Sequence, residues 1–152
     1  MSLFKYWLVF VCSKKSTGKT TSILKIALDY WIKTGNPSAY VRIYQEEIET
    51  FAINFSAILD VLNFPLRRNF KINNSGLYQL TTTRSKGKTA RKFKPILYFL
   101  NINGAQKINS SKFAKINFLF FDEAELHFGS AAENLNLVTK MTNIISTILR
   151  VD

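Results

Sequence analysis

The chain of 152 residues has a single cysteine, Cys12, so no internal disulfide can form. That suits a reducing compartment. It has one histidine, His127, and its carboxylates are scattered rather than spaced as zinc ligands. His127 is expected to be a surface or partly buried histidine with no assigned role. Nowhere do 18 uncharged apolar residues follow one another, so no membrane-spanning helix is expected. The opening MSLFKYWLVFVC carries a short apolar run from Tyr6 to Cys12. SKKSTGKT follows it in place of a small-residue cleavage site, which predicts a buried strand and not a signal peptide. No internal repeat is visible. Between Asp60 and Asp122 there is no acidic residue at all.

That last absence has a counterpart. Lys and Arg number 21 against 10 Asp and Glu, a net charge of +11. Twelve of the 21 fall between Asp60 and Asp122: Arg67, Arg68, Lys71, Arg84, Lys86, Lys88, Arg91, Lys92, Lys94, Lys107, Lys112 and Lys115. One middle segment therefore supplies the whole surplus, and concentrated charge of this kind can track a phosphate backbone through counterion release. The chain as a whole has an ordinary globular composition, 47% hydrophobic and 14% aromatic, which argues against disorder. The length fits one domain with a real core.

Periodicity predicts the elements. Lys5 to Val11 reads as a buried strand, and Cys12 to Gly18 as a polar loop. Lys19 to Lys33 reads as a helix with Ile23, Ile26, Ala27, Tyr30 and Trp31 on one face, closed by Gly35 and Pro37. Ala39 to Tyr44 is a short strand. Glu46 to Leu62 is the clearest helix, its apolar stripe being Ile48, Phe51, Ala52, Phe55, Ile58, Leu59 and Leu62. Its acidic start suits the helix dipole. Phe70 to Ile72 and Leu77 to Thr81 pair as a hairpin across Asn73 to Gly76. Thr82 to Lys94 has no apolar period and is expected to be an exposed basic loop. Ile96 to Ile102 and Ile116 to Phe121 are strands. Asn134 to Leu149 is a last helix through Leu135, Val138, Met141, Ile145, Ile148 and Leu149. This order predicts an α/β sandwich with a mainly parallel sheet flanked by helices and a β-hairpin/basic-loop insertion.

Two motifs carry chemistry. Ser13-Lys14-Lys15-Ser16-Thr17-Gly18-Lys19-Thr20 lies between a predicted strand and a predicted helix, the context of the phosphate-binding loop G-x-x-x-x-G-K-[ST]. Ser13 stands where that pattern has its first glycine. Gly18 would let the backbone turn against a phosphate, Lys19 would neutralise the β- and γ-phosphates of ATP, and the Thr20 hydroxyl would ligate Mg²⁺. The N–H groups from Lys15 to Thr21 would line the anion nest. The second motif is Phe118-Leu119-Phe120-Phe121-Asp122-Glu123, two carboxylates at the carboxyl end of an apolar strand, where open α/β sheets bind ligands. Asp122 would hold Mg²⁺ and its waters. Glu123 would polarise the water that attacks the γ-phosphate. An adjacent Asp-Glu favours hydrolysis over transfer to a substrate hydroxyl. Together the motifs predict a P-loop NTPase of the additional-strand, catalytic-glutamate type.

Taken together, LVFVCSKKSTGKT, WIKTGNPSAYVRIYQEEI, FLFFDEAE and the late STILR resemble the ATPase domain of the large terminase proteins, the motors that pump viral DNA into capsids. The closest likeness is to the phi-29-like class of phage DNA-packaging ATPases, and it spans nearly the whole chain. The resemblance implies that Lys15 is the basic residue often found inside the loop. It implies that Arg42, just after the second strand, contacts nucleotide or couples it to movement, and that Arg150 is an arginine finger serving a neighbouring subunit. By resemblance the partners are double-stranded DNA, a homo-oligomeric ring of five subunits, the portal or procapsid and a packaging RNA, in the host cytoplasm and without a membrane. Ser13 and Ser16 replace glycines common in the family loop. Further strands and a nuclease-like domain follow in such proteins, so residues 1–152 are expected to be a P-loop ATPase domain incomplete at its C-terminus, without the nuclease-like domain. A fragment of a longer protein is expected in preference to a domain with an incomplete sheet.

Arg84, Lys86, Lys88, Arg91, Lys92 and Lys94 are the candidate nucleic-acid contacts, suited to phosphates and not to base reading. The leading expectation is an ATP-driven translocase of double-stranded DNA in a viral genome-packaging motor. The alternatives are a non-motor P-loop NTPase or phosphotransferase, and a nucleic-acid-binding module with a degenerate P-loop.

Overall fold

The computed structural model describes residues 18–64, 69–85, 88–102, 116, 118–122 and 131–149. In chain order these form α1 (Lys19–Thr34), β1 (Ser38–Arg42), α2 (Gln45–Val61), β2 (Phe70–Asn73), β3 (Gly76–Ser85), β4 (Lys88–Asn101), β5 (Phe118–Phe121) and α3 (Ala131–Leu149). The strand expected over Lys5 to Val11 lies outside the described residues.

The five strands make one sheet in the order β2-β3-β4-β1-β5. β1 runs parallel to both neighbours, β4 and β5. β3 runs antiparallel to β2 and β4. The sheet expected to be mainly parallel is therefore mixed among the described residues. Its parallel half follows from the α2 crossover after β1, and its antiparallel half from the hairpin.

Strand parity sets the layers. Tyr40, Leu97, Phe99 and Phe120 lie on the face packed against α1 and α2, in one cluster with Leu24, Ala27, Leu28, Phe51, Phe55 and Leu59. Ala39, Val41 and Ile102 lie on the opposite face, in a second cluster with Ile144 of α3. The result is an α/β sandwich of three layers.

The helices keep their predicted places; α1 buries much of its expected face, with Ala27 buried and Ile23 and Trp31 packed on the core, whereas α3 turns a different face inward. In α2 the buried residues are Ile48, Phe51, Ala52, Phe55 and Leu59, the stripe read from the sequence. In α1 they are Leu24, Ala27 and Leu28, while Ile26 is exposed. In α3 Ile144 is buried with Leu137 and Met141 against it, whereas Leu135 and Val138 face outward. Both helices carry apolar residues around most of their circumference, so more than one stripe satisfies the period. Gly35 takes a left-handed φ of 69° and donates its N–H to the carbonyl of Trp31, closing α1 as expected. At the start of α2 the Tyr44 N–H donates to the Glu47 carboxylate at 3.1 Å, satisfying a donor at the helix entry.

The largest departure from expectation is the basic loop. Residues 82–85 and 88–94 are not a loop: they belong to β3 and β4, which pair from Gly76 opposite Tyr98 out to Ser85 opposite Lys88. Threonines at 81–83 and 89 favour extended backbone. Both faces of this ribbon are largely solvated, so no apolar alternation marks it as strand. Near its base the register shifts between Leu77 and Tyr78, so that Leu97 pairs with Leu77 but Pro95 with Tyr78. The extra residue is a bulge, and Pro95 beside it needs no ladder N–H. Gly76 opens β3 with φ 146°, and a Cβ there would lie 2.1 Å from the Leu97 carbonyl oxygen. Only glycine permits this close approach.

Candidate functional site

The parallel strands end together at one edge of the sheet. Arg42 of β1 pairs with Asn101 of β4, and Val41 with Phe121 of β5. The Asp122 N–H donates to the Val41 carbonyl at 2.9 Å, carrying the ladder one residue past β5. Tyr40, Arg42 and Asp122 therefore share the α1/α2 face at the carboxyl edge.

α1 brings its first turn to the same place. Gly18 precedes it with φ 75° and open space where a Cβ would stand, so backbone conformation, not crowding, selects glycine there. Lys19, Thr20 and Thr21, each half-buried, begin the helix. The Thr20 hydroxyl donates to Asp122 Oδ2 at 2.8 Å across 102 residues of sequence. The two residues assigned from separate motifs to one Mg²⁺ site are thus in direct contact.

Two further donors converge on that oxygen. The Tyr40 hydroxyl donates to Asp122 Oδ2 at 2.8 Å, and Arg42 Nη2 reaches it at 3.2 Å. Arg42 Nε also donates to the Tyr40 hydroxyl. The Arg42–Asp122 ion pair is mostly buried, the two side chains being 17% and 12% exposed. The guanidinium carbon stands 5.6 Å from the Tyr40 ring centroid and 5.8 Å from that of Phe51. Those rings stack at 4.1 Å. Cation–π attraction and the ion pair act on one guanidinium, so its position is set from two directions. Burial pushes the Tyr40 phenol well above its ordinary range. The Asp122 charge and hydrogen bond add to this, against an opposing pull from Arg42. Tyr40 therefore remains a hydrogen-bond donor at any physiological pH.

The donor chemistry suits Mg²⁺. A hydroxyl and a carboxylate from different elements present hard oxygens at a helix N-terminus, where phosphate is also favoured. Among the described residues no group of three or more His, Cys, Asp or Glu forms a metal cage. Mg²⁺ commonly takes one or two protein ligands and completes its shell with water and substrate phosphate.

The structure brings together Gly18, Lys19, Thr20, Thr21, Arg42 and Asp122 of the expected nucleotide and metal residues. Ser13, Lys14, Lys15, Ser16, Thr17, Glu123 and Arg150 lie outside the described residues, as does His127. Sequence reasoning misses Tyr40. Its signal is parity: two residues before Arg42 on the same strand, it has to share that residue's face.

The expected nucleic-acid residues lie elsewhere. Arg84 sits on β3 and Arg91, Lys92 and Lys94 on β4, all exposed. Lys88 begins β4, and Lys86 lies outside the described residues. β1 starts at Ser38 opposite Leu97, so β4 from Lys88 to Ile96 extends beyond it at the amino edge. The nucleotide residues stand at the carboxyl edge, and the basic ribbon leaves the opposite one. The C-terminal cap of α1 meets the base of the ribbon: a Cβ on Gly35 would lie 3.1 Å from Lys94 Nζ.

Comparison of the chain with protein-family models, with curated proteins and with solved structures finds no match.

Proposed function

We propose that this chain is an ATP-hydrolysing subunit of a motor that moves double-stranded DNA, of the genome-packaging kind its sequence resembles. The observation that carries this reading is the Thr20–Asp122 contact. Residue chemistry alone assigns two short motifs, a hundred residues apart, to one Mg²⁺–nucleotide site. The parallel strands bring the start of α1 and the end of β5 to one edge, and the resulting hydroxyl–carboxylate contact supports this reading.

In this reading Lys19 neutralises the β- and γ-phosphates from the first turn of α1, whose N–H groups and dipole favour the anion. Thr20 and Asp122 are the oxygens that hold Mg²⁺, which when bound offsets charge on the phosphates and leaving group. Tyr40 and Arg42 orient the Asp122 carboxylate. Glu123, next in the chain, polarises the attacking water, and Arg150 serves the site of an adjacent subunit in a ring. The ring, its docking on a procapsid portal in the host cytoplasm and a packaging RNA rest on the resemblance alone.

The test is ATP binding and turnover, with and without duplex DNA, for the wild type and for Lys19→Ala and Asp122→Asn. DNA-stimulated turnover lost in both variants is the expected result. A chain that binds nucleotide but transfers phosphate to a small acceptor independently of DNA is a phosphotransferase. A chain that binds DNA and no nucleotide is the degenerate module that Ser13 suggests.

A further inference from the structure

We infer that the β3–β4 ribbon is an arm that enters the major groove of double-stranded B-form DNA, its two faces meeting the phosphates on either side. This deepens the DNA half of the proposed function, yet it stands on the ribbon's own geometry and needs no nucleotide.

Three observations carry it. First, the ribbon is the right shape. β2 pairs with β3 over Gly76 to Gln79. From Thr81 opposite Lys92 to Ser85 opposite Lys88 the ribbon is two-stranded and projects beyond β1. Five residue pairs span about 16 Å at the rise of a strand. The major groove of B-DNA is about 12 Å wide and 8.5 Å deep and admits a two-stranded ribbon.

Second, the charge is on both faces. Lys92 pairs with Thr81 and Lys94 with Gln79, which places both lysines on the α1 side. Arg91 pairs with Thr82 and Arg84 with Thr89, which places both arginines on the other side. Lys71 joins the arginines, its Nζ standing 5.3 Å from the Phe93 ring centroid. A flat anionic surface would attract one face. Two flanking phosphate rows call for both. No carboxylate side chain occurs anywhere from Phe70 to Asn101, so the strands supply nothing to neutralise these cations internally.

Third, other nucleic acids fit poorly. Single strands are held by rows of aromatic side chains on which bases stack. Among its described residues the projecting part has no aromatic side chain; Phe93 stands at its base opposite Leu80, and Lys71 already lies over its ring. The major groove of A-form RNA is too deep and narrow for such an arm.

The test uses the full chain without nucleotide and a labelled 30-base-pair duplex, with binding followed by fluorescence anisotropy over a salt series. Arg84→Gln, Arg91→Gln and Lys92→Gln should each weaken binding across unrelated sequences. Each should also reduce the log–log salt slope by about 0.9 for every phosphate that the variant no longer neutralises. Circular dichroism checks that each variant folds. Duplex RNA and single-stranded DNA should bind roughly tenfold or more weaker than duplex DNA. On wild-type protein, which needs no variant, dimethyl sulfate should find guanine N7 protected, since that atom lines the major groove. Equal affinity for duplex RNA or for single strands, unchanged salt slopes in all three variants, or full N7 reactivity at saturation would overturn the inference. A chain that protects N7 without hydrolysing ATP leaves it standing and removes the ATPase reading. One that hydrolyses ATP but leaves N7 reactive does the reverse.

Discussion

The two edges of the sheet are built by opposite means. At the carboxyl edge side chains from α1 and β1 converge on one carboxylate oxygen just past β5, with up to 102 residues of sequence between partners. At the amino edge a local hairpin carries exposed charges held out in solvent. The first edge is cooperative: each group there is held by others, and removing one takes a hydrogen bond from several mostly buried partners. The second is additive, because solvated charges contribute separately to a long-range field and little to folding. A buried network ties stability to chemistry, whereas a solvated arm leaves the two independent.

That difference can be broken by mutation. The largest expected effect is Asp122→Ala, which removes the acceptor shared by the Thr20 and Tyr40 hydroxyls and the Arg42 guanidinium. Losing one member of a mostly buried pair should cost about 3 kcal/mol or more in chemical denaturation, and the same variant should lose nucleotide turnover. Next is Gly76→Ala, where the new Cβ would meet the Leu97 carbonyl at 2.1 Å. The strand must shift, at a cost of about 2 kcal/mol. No change in midpoint would mean that the β3–β4 base adapts freely.

Thr20→Val sharpens the comparison. Removing one hydroxyl should cost only about 1 kcal/mol of stability, while Mg²⁺-dependent turnover should fall about a hundredfold, close to 3 kcal/mol of barrier. A parallel loss of both would make Thr20 a purely structural partner of Asp122.

pH offers a subtler probe. The Tyr40 phenol is raised above its unfolded value near 10, and burial raises Tyr98 to about 12. Between pH 10 and 12 the unfolded chain releases both protons and the folded chain keeps them, so stability is full below pH 10 and falls as pH rises. Tyr40→Phe should flatten that fall, read as melting temperature against pH. An unchanged slope would mean that the phenol is not held neutral. Smallest of all, Arg84→Gln should move stability by no more than about 0.5 kcal/mol, even as it changes salt-dependent DNA binding.

The same contrast explains what is legible in the sequence. α2 is readable because its apolar residues occupy one stripe and its other face is polar. α1 can be located with most of its inward face, and α3 can be located but not its buried face, since apolar residues such as Ile26, Leu135 and Val138 give the period more than one solution. Thr20 and Asp122 stand out because phosphate chemistry needs those residue types after a strand. Tyr40 does not, because a tyrosine in an apolar strand reads as core. It is core, with its hydroxyl turned to the site. The ribbon's charge is plain from the run of Lys and Arg, but its shape is hidden: strand signals depend on one buried face, and this ribbon has none.

One helix spans the distance between the two edges. α1 starts at Thr20's contact with Asp122 and ends at Gly35, beside Lys94. Its 16 residues measure about 24 Å, and Leu24, Ala27 and Leu28 are packed too closely for it to bend easily. Under the proposed function such a rod would serve as a lever. A tilt of roughly 8° about its first turn carries its far end through about 3.4 Å, the rise of one base pair. In the proposed motor, an ångström-scale adjustment at Thr20 would therefore be enough, mechanically, to carry the root of the ribbon one step along duplex DNA.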